Sequence, residues 1–227
     1  IIPDKIIFVS KYCLDQHVDA GYSVRKSMVI YNGVDTKKYS GDDVSLPNLV
    51  RKNGIFKICM VSRFHPIKDY PRFFEIASQV IKLCPKTAFY LIGKGNSKEN
   101  KVLMDLVNQF CLADHINLLG EVSNVSEVYP SFDLVVSSSK SESFGLTVLE
   151  ALLSGVNVST INLPVIDELL GEYSTNEGLI DNKEMAVRWL EKVDISPSQD
   201  LKQLISDHYS LQNMLDSYSI LYKSFVR

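Results

Sequence analysis

The chain has 227 residues, with 24 Lys and Arg against 27 Asp and Glu, for a formal net charge of −3. That length carries one large domain or two small ones, and its 45% hydrophobic residues can build a core without disulfide staples. These values exclude a disordered chain, a collagen-like chain (11 Gly, 8 Pro) and a nucleic-acid binder acting through bulk positive charge. No apolar run approaches about 18 residues, so no membrane-spanning helix is expected. The opening Ile1-Ile2-Pro3-Asp4-Lys5 has neither Met nor signal-peptide architecture and reads as the interior of a longer protein. Cys13, Cys59, Cys84 and Cys111 form no Cys-x-x-Cys pair, and no His lies at zinc-finger spacing from them. Each sits in or beside an apolar run, which predicts buried free thiols in a reducing cytosol.

In chain order, Lys5–Ser10 reads as a strand, Lys11–Ala20 as a helix and Ser27–Tyr31 as a strand, closed by the Asn32-Gly33 turn. Residues 35–54, rich in Asp, Lys, Gly, Ser and Pro, read as a linker with one helical turn, so a boundary is placed after residue 34. Phe56–Val61 is a short, mostly apolar run suited to a buried parallel strand. Pro71 opens a helix with Phe73, Phe74, Ala77, Val80 and Ile81 on its apolar side, and Pro85 follows its end. Thr87–Ile92 is a second strand, followed by a helix with Val102, Leu103, Leu106, Val107 and Phe110 on one face. Ile116–Gly120 is a third strand. A short helix at Val125–Ser131 leads to a fourth at Leu134–Ser137, and helix Thr147–Leu153 to a fifth at Val156–Thr160. Leu179-Ile180 is a candidate sixth strand. Helices are predicted at Lys183–Lys192, Ser198–His208 and Leu211–Phe225. This alternation means βαβ units: an α/β, Rossmann-like parallel sheet with helices on both faces. In such a sheet, ligands bind at the carboxyl ends of the strands.

The strand-end loops therefore carry the candidate chemistry. Ser62-Arg63-Phe64-His65-Pro66-Ile67-Lys68 places two cations five residues apart on one loop, the kind of donors a diphosphate requires. Taken alone, the plainer reading of two surface cations is favoured. Gly93-Lys94-Gly95 lets backbone approach a ligand closely. Residue 98 is Lys, so no dinucleotide fingerprint is present, and by itself this is a turn. Ser137–Glu150 is the most informative stretch: a serine-rich loop, Glu142, then Ser143-Phe144-Gly145-Leu146-Thr147 opening a helix that carries Glu150. The first turn of such a helix offers unpaired N–H groups and a positive dipole end to phosphate. Glu150 can accept two ribose hydroxyls, and Glu142 can reach a sugar hydroxyl. The spacing of the two acids carries no weight alone, because 27 acids in 227 residues give about three such pairs by chance. His17, His65, His115 and His208 form no metal motif; His65 is a candidate catalytic group set against the default of an exposed loop histidine. There is no Gly-x-Ser-x-Gly elbow and no Asp-x-Asp pair.

The order of these features resembles the family 4 retaining glycosyltransferases (group 1 glycosyl transferases) of the two-domain GT-B fold. Residues Val29–Asp35, Ser62–Lys68, Leu91–Gly95, Leu118–Gly120, Val128-Tyr129 with Phe132-Asp133, and Glu142–Gly145 through Glu150-Ala151 carry the resemblance over nearly the whole chain. It implies the C-terminal, donor-binding half of a GT-B fold at residues 35–227, with residues 1–34 closing an N-terminal acceptor-side domain. Arg63 and Lys68 would bind the donor diphosphate and stabilise the leaving group. Glu142 would contact the transferred sugar and Glu150 the ribose. Gly93, Gly95, Ser143, Phe144, Gly145, Leu146 and Thr147 would line the site, with Gly120, Glu121 and Val122 near the base. The donor is a nucleoside-diphosphate sugar; no cofactor and no metal is expected. The implied acceptor is a glycan or lipid-linked glycan bound by the N-terminal domain. No nucleic acid is expected as a partner, and the setting is the cytoplasm, with peripheral membrane association of the full-length enzyme. The sequence departs from the family at Ser62 before Arg63, at Gly155–Val158, and at Asn162–Glu168, where the usual Gly-Gly-x-x-Glu element is reduced. Two alternatives stand beside this reading: a nucleotide-sugar-binding module without turnover, and a sugar-nucleotide epimerase on the same fold.

Overall fold

The structure, a computed structural model, describes residues 3–39, 54–193 and 195–225. Its centre is a parallel five-stranded sheet of β3 (Phe56–Val61), β4 (Thr87–Ile92), β5 (Ile116–Gly120), β6 (Leu134–Ser137) and β7 (Val158–Thr160). The strand order is β5-β4-β3-β6-β7. The chain thus builds outward from β3 to one edge, then returns to lay β6 on the other side of β3. That reversal is a topological switch point, and it lies between β3 and β6.

The sheet is covered on both faces, which is why its central strands are mostly apolar. Side chains of β3 alternate between two cores. Ile58 and Met60 face α3 (Tyr70–Leu83), α4 (Lys101–Gln109) and α7 (Asn182–Lys192). Cys59 faces α5 (Leu146–Leu153), α6 (Pro164–Leu170) and α8 (Gln199–Tyr209). On the first side Phe73 meets Phe89 edge-on, and Trp189 packs 5.8 Å from Phe73, centroid to centroid.

The N-terminal residues form a small parallel pair, β1 (Ile6–Phe8) with β2 (Ser27–Val29), joined by α1 (Lys11–Asp19). Val34 then bonds to both sides of the junction between α8 and the last helix: its amide donates to Tyr209 O at 2.8 Å and its carbonyl accepts from Leu211 N at 2.9 Å. Gly33 is required there, because a Cβ would sit 2.5 Å from Leu211 Cα. One turn, α2 (Thr36–Tyr39), follows; residues 40–53 of the 35–54 linker lie outside the described residues. α9 (Leu211–Lys223) ends the fold, with Leu221 buried and Leu215, Ile220 and Tyr222 exposed.

Several expectations need correction. Leu179-Ile180 is not a strand: Leu179 is 74% exposed, and only an isolated bridge, Thr160 to Asn176, extends the sheet there. Residues 162–168, read as a reduced loop element, instead enter α6, whose apolar Val165, Ile166, Leu169 and Leu170 are buried. Val102 is off the buried stripe of α4, since Leu103 and Val107 take the core-facing positions. Val125–Ser131 is two 3₁₀ turns rather than one helix. Of the cysteines only Cys59 is buried; Cys13 and Cys84 are half-buried and Cys111, at φ 55°, is exposed.

Candidate functional site

The loops after β3 and β6 emerge at the switch point, and they are stitched to each other. Lys140 N donates to Ile67 O at 2.8 Å, and Ser138 Oγ donates to Lys68 O at 2.8 Å. Ser138 and Ser139 are buried, so the serine-rich loop is a set of internal struts rather than a solvated turn. Ser139 Oγ donates to Glu142 Oε1 at 2.8 Å, and the same oxygen pairs with the Lys68 ammonium. Lys68 and Glu142, separated by 74 positions, therefore meet in a largely enclosed ion pair with side chains 19% and 20% exposed. Arg63, on the same loop as Lys68, is exposed and pairs with no carboxylate among the described residues. His65 is exposed too. Its Nδ1 accepts from Ile67 N at 3.3 Å, which caps the turn Pro66–Lys68.

The β3 loop is held from the other side by the loop after β4. Ser62 O accepts from Asn96 Nδ2 at 2.8 Å and from Tyr70 Oη at 3.0 Å, and Phe64 N donates to Lys94 O at 2.7 Å. The Ser62 hydroxyl lies 3.1 Å from Tyr70 Oη. Gly93 has φ 125°, and a Cβ there would fall 2.4 Å from Ser62 O, so only glycine permits this approach. Gly93 N in turn donates to Gly120 O at 2.7 Å, which draws the end of β5 into the same rim. Gly95, Glu121 and Val122 lie on that rim as well. Val122 packs against the core and Glu121 is exposed.

The α5 entry is the most constrained part. Gly145 stands at φ 92° as its N-cap, and a Cβ would meet Ile166 Cδ1 at 2.8 Å. Phe144 is buried between Tyr31 and Tyr209, with centroids 6.2 and 5.9 Å away. The amides of Phe144, Gly145, Leu146 and Thr147 find no acceptor among the described residues. Four unpaired N–H groups at a helix start form an anion-binding feature with no charged side chain involved.

Glu150 lies one turn further on, in surroundings unlike those of Glu142. Burial raises its pKa above the ordinary carboxylate value, opposed by hydrogen bonds from the Tyr39 and Tyr129 hydroxyls and by the Lys38 charge. Tyr129 Oη sits 3.4 Å from Glu150 Oε2. A carboxylate offers about four acceptor positions, so two tyrosines leave room for two further donors. No role at the site is legible in the sequence for Tyr39, Ser138, Ser139, Tyr70 or Asn96, and Tyr129 enters only as part of the family resemblance. The one available signal was a run of serines between an apolar strand and an apolar helix. Among the described residues, no cluster of His, Cys, Asp and Glu could hold a metal ion, and no helix is long and apolar enough to cross a membrane.

The model of the family described as glycosyl transferases, group 1, matches residues 46–203. The chain belongs to this family. Among its relatives, N-acetyl-alpha-D-glucosaminyl L-malate synthase of Bacillus anthracis is 23% identical over 87% of this chain and 54% of the relative. The O-antigen biosynthesis glycosyltransferase WclY of Escherichia coli is 23% identical over 99% of this chain and 62% of its own length. Among solved structures, Anabaena HepE in complex with UDP-glucose has a TM-score of 0.83 at 18% identity, covering 98% of this chain and 64% of HepE. The lipopolysaccharide glycosyltransferase WaaG has a TM-score of 0.71 at 15% identity. These likenesses show the Rossmann-like fold of GT-B glycosyltransferases. The group 1 chain spans about a third to two thirds of the length of the curated relatives it matches.

Proposed function

We propose that this group 1 chain is the donor-binding half of a retaining, family 4-type hexosyltransferase that moves a sugar from a nucleoside diphosphate to a glycan or lipid-linked acceptor. One observation carries this reading. A two-cation loop and the serine-rich loop that leads into a helix start with four free amides leave the same switch point, and the two loops are hydrogen-bonded together there. A diphosphate requires that combination: point charges on one side and oriented N–H dipoles on the other. Glu150, half-buried and one turn into the helix, accepts the ribose hydroxyls. Bound donor relatives such as HepE with UDP-glucose fit this chemistry.

In this reading the bond from the sugar C1 to the diphosphate oxygen breaks as negative charge develops on the diphosphate. Arg63 and Lys68 stabilise that charge electrostatically, together with the amides of residues 144–147. The acceptor hydroxyl attacks C1 from the face the diphosphate leaves, and its proton passes to a diphosphate oxygen. Glu142 holds a hydroxyl of the transferred sugar while its pairing with Lys68 keeps the ammonium in place. Residues 1–34 close an acceptor-side domain, and the full-length enzyme works in the cytoplasm, in peripheral contact with the membrane.

Calorimetry with UDP, GDP and ADP tests the donor site. The parent binds one of them, and Arg63→Ala and Glu150→Ala each weaken that binding. Two variants that bind as the parent does would show that the site is misplaced.

A further inference from the structure

The donor loop is fixed by a residue far from it in sequence, in the small N-terminal unit. Ser10 is fully buried and uses its hydroxyl twice. Its Oγ accepts from Cys13 N at 3.0 Å, which caps α1, and donates to Ser143 O at 2.7 Å. The α1 terminus is otherwise saturated: Lys11 N and Tyr12 N donate to the Glu168 carboxylate at 2.7 and 2.6 Å, and Leu14 N to Ser10 O at 3.1 Å. Among the described residues the Ser10 hydroxyl proton has one acceptor, Ser143 O.

That bond fixes a whole peptide plane. Ser143 C=O and Phe144 N–H belong to one planar trans unit, in which the two groups point in opposite directions. With the carbonyl held towards α1, the Phe144 amide is turned away from α1. It is the first of the four unpaired amides that open α5. The neighbouring ring of Phe144 locks the same residue through Tyr31 and Tyr209, but ring packing does not set the direction of the peptide.

We infer that Ser10 is a positioning residue: its hydroxyl orients the Ser143–Phe144 peptide so that the Phe144 amide is presented to the donor. This rests on the donor-binding reading above, and the test separates the two. In the unliganded chain, ¹⁵N relaxation of Ser10→Ala is expected to show the Phe144 and Gly145 amides falling from rigid-backbone order to below about 0.6. Ser10→Thr, which keeps both hydroxyl roles, restores them. UDP affinity falls about tenfold in Ser10→Ala, the value of one hydrogen bond, while uridine, without phosphates, binds as to the parent. If the alanine variant does not fold, the nearly isosteric Ser10→Cys, a weak donor, takes its place with the same expected direction. Unchanged order at Phe144, loss confined to the α1 amides, or failure of threonine to restore order overturns the inference. A parent that binds none of UDP, GDP and ADP sinks the donor reading, while the relaxation data still decide Ser10.

Discussion

Glu150→Gln should move stability and binding in opposite directions. In the folded chain burial is the largest influence on Glu150, and it raises the pKa above that of an exposed glutamate. A raised carboxylate favours folding only while it is protonated. Its contribution is complete below the unfolded pKa and is lost as pH rises through the folded one. At neutral pH the parent therefore carries an unfavourable buried charge, and glutamine removes it while one amide oxygen still accepts from the tyrosines. Glu150→Gln is expected to melt above the parent at pH 7, with the gain shrinking as pH falls towards the glutamate range. Binding pays the opposite way. Hydrogen bonds to a charged acceptor are worth about 1 kcal/mol more than neutral ones, so two ribose hydroxyls give about 2 kcal/mol, or roughly 30-fold in Kd. Calorimetric titration with UDP at pH 7 reads that loss, and a 2′,3′-dideoxy diphosphate should bind both proteins equally. A lower melting temperature at pH 7, or an unchanged Kd for UDP, would refute the reasoning.

Lys68→Met removes a cation of the proposed donor site and strands the largely enclosed Glu142. It should cost about 1–3 kcal/mol of stability in urea melts as well as donor affinity, and adding Glu142→Gln should recover the stability without the affinity. Phe144→Ala empties a buried slot between Tyr31 and Tyr209; the expected loss is about 3–5 kcal/mol, seen as a melting temperature on the order of 10 °C lower. Gly145→Ala puts a Cβ 2.8 Å from Ile166 Cδ1 at φ 92°. The backbone strain alone is about 1–2 kcal/mol, and a second change, Ile166→Val, should recover part of the thermal loss but not the part due to φ.

Strands β3, β4, β5 and β6 are legible to the residue because each is a mostly apolar run bounded by polar or glycine-containing loops, as a sheet covered on both faces favours. Helix α6 escapes a periodicity reading. Its seven residues, Pro164–Leu170, give less than two turns, and Pro164 looks like a loop residue although it occupies the first helical turn. Leu179-Ile180 misleads in the other direction. An apolar pair flanked by Gly178 and Asp181 looks like an edge strand, yet Ile180 offers its carbonyl to Arg72 Nη2 at 3.0 Å instead of to a ladder. At the site, Arg63, Lys68, Glu142, Gly145 and Glu150 stand out as polar or glycine residues following apolar strands. Ser138, Ser139, Tyr39 and Tyr129 do not, because serine or tyrosine looks the same in sequence whether its hydroxyl meets water or a buried partner.

The sequence by itself determined the βαβ alternation, the parallel sheet and the loops that bear its chemistry, since these follow from local periodicity and from chain reach. It contained the Phe-Gly-Leu helix start whose glycine must adopt positive φ. Only the tertiary structure decided that β6 returns beside β3, placing two loops some 70 residues apart at one switch point. It also decided that Lys68 pairs with Glu142 while Glu150 lies with Tyr39 and Tyr129, and that Ser10 reaches across to Ser143. Strand order and long-range hydrogen bonds arise from the competition among all packings for the same buried faces, and no local pattern records which of them wins.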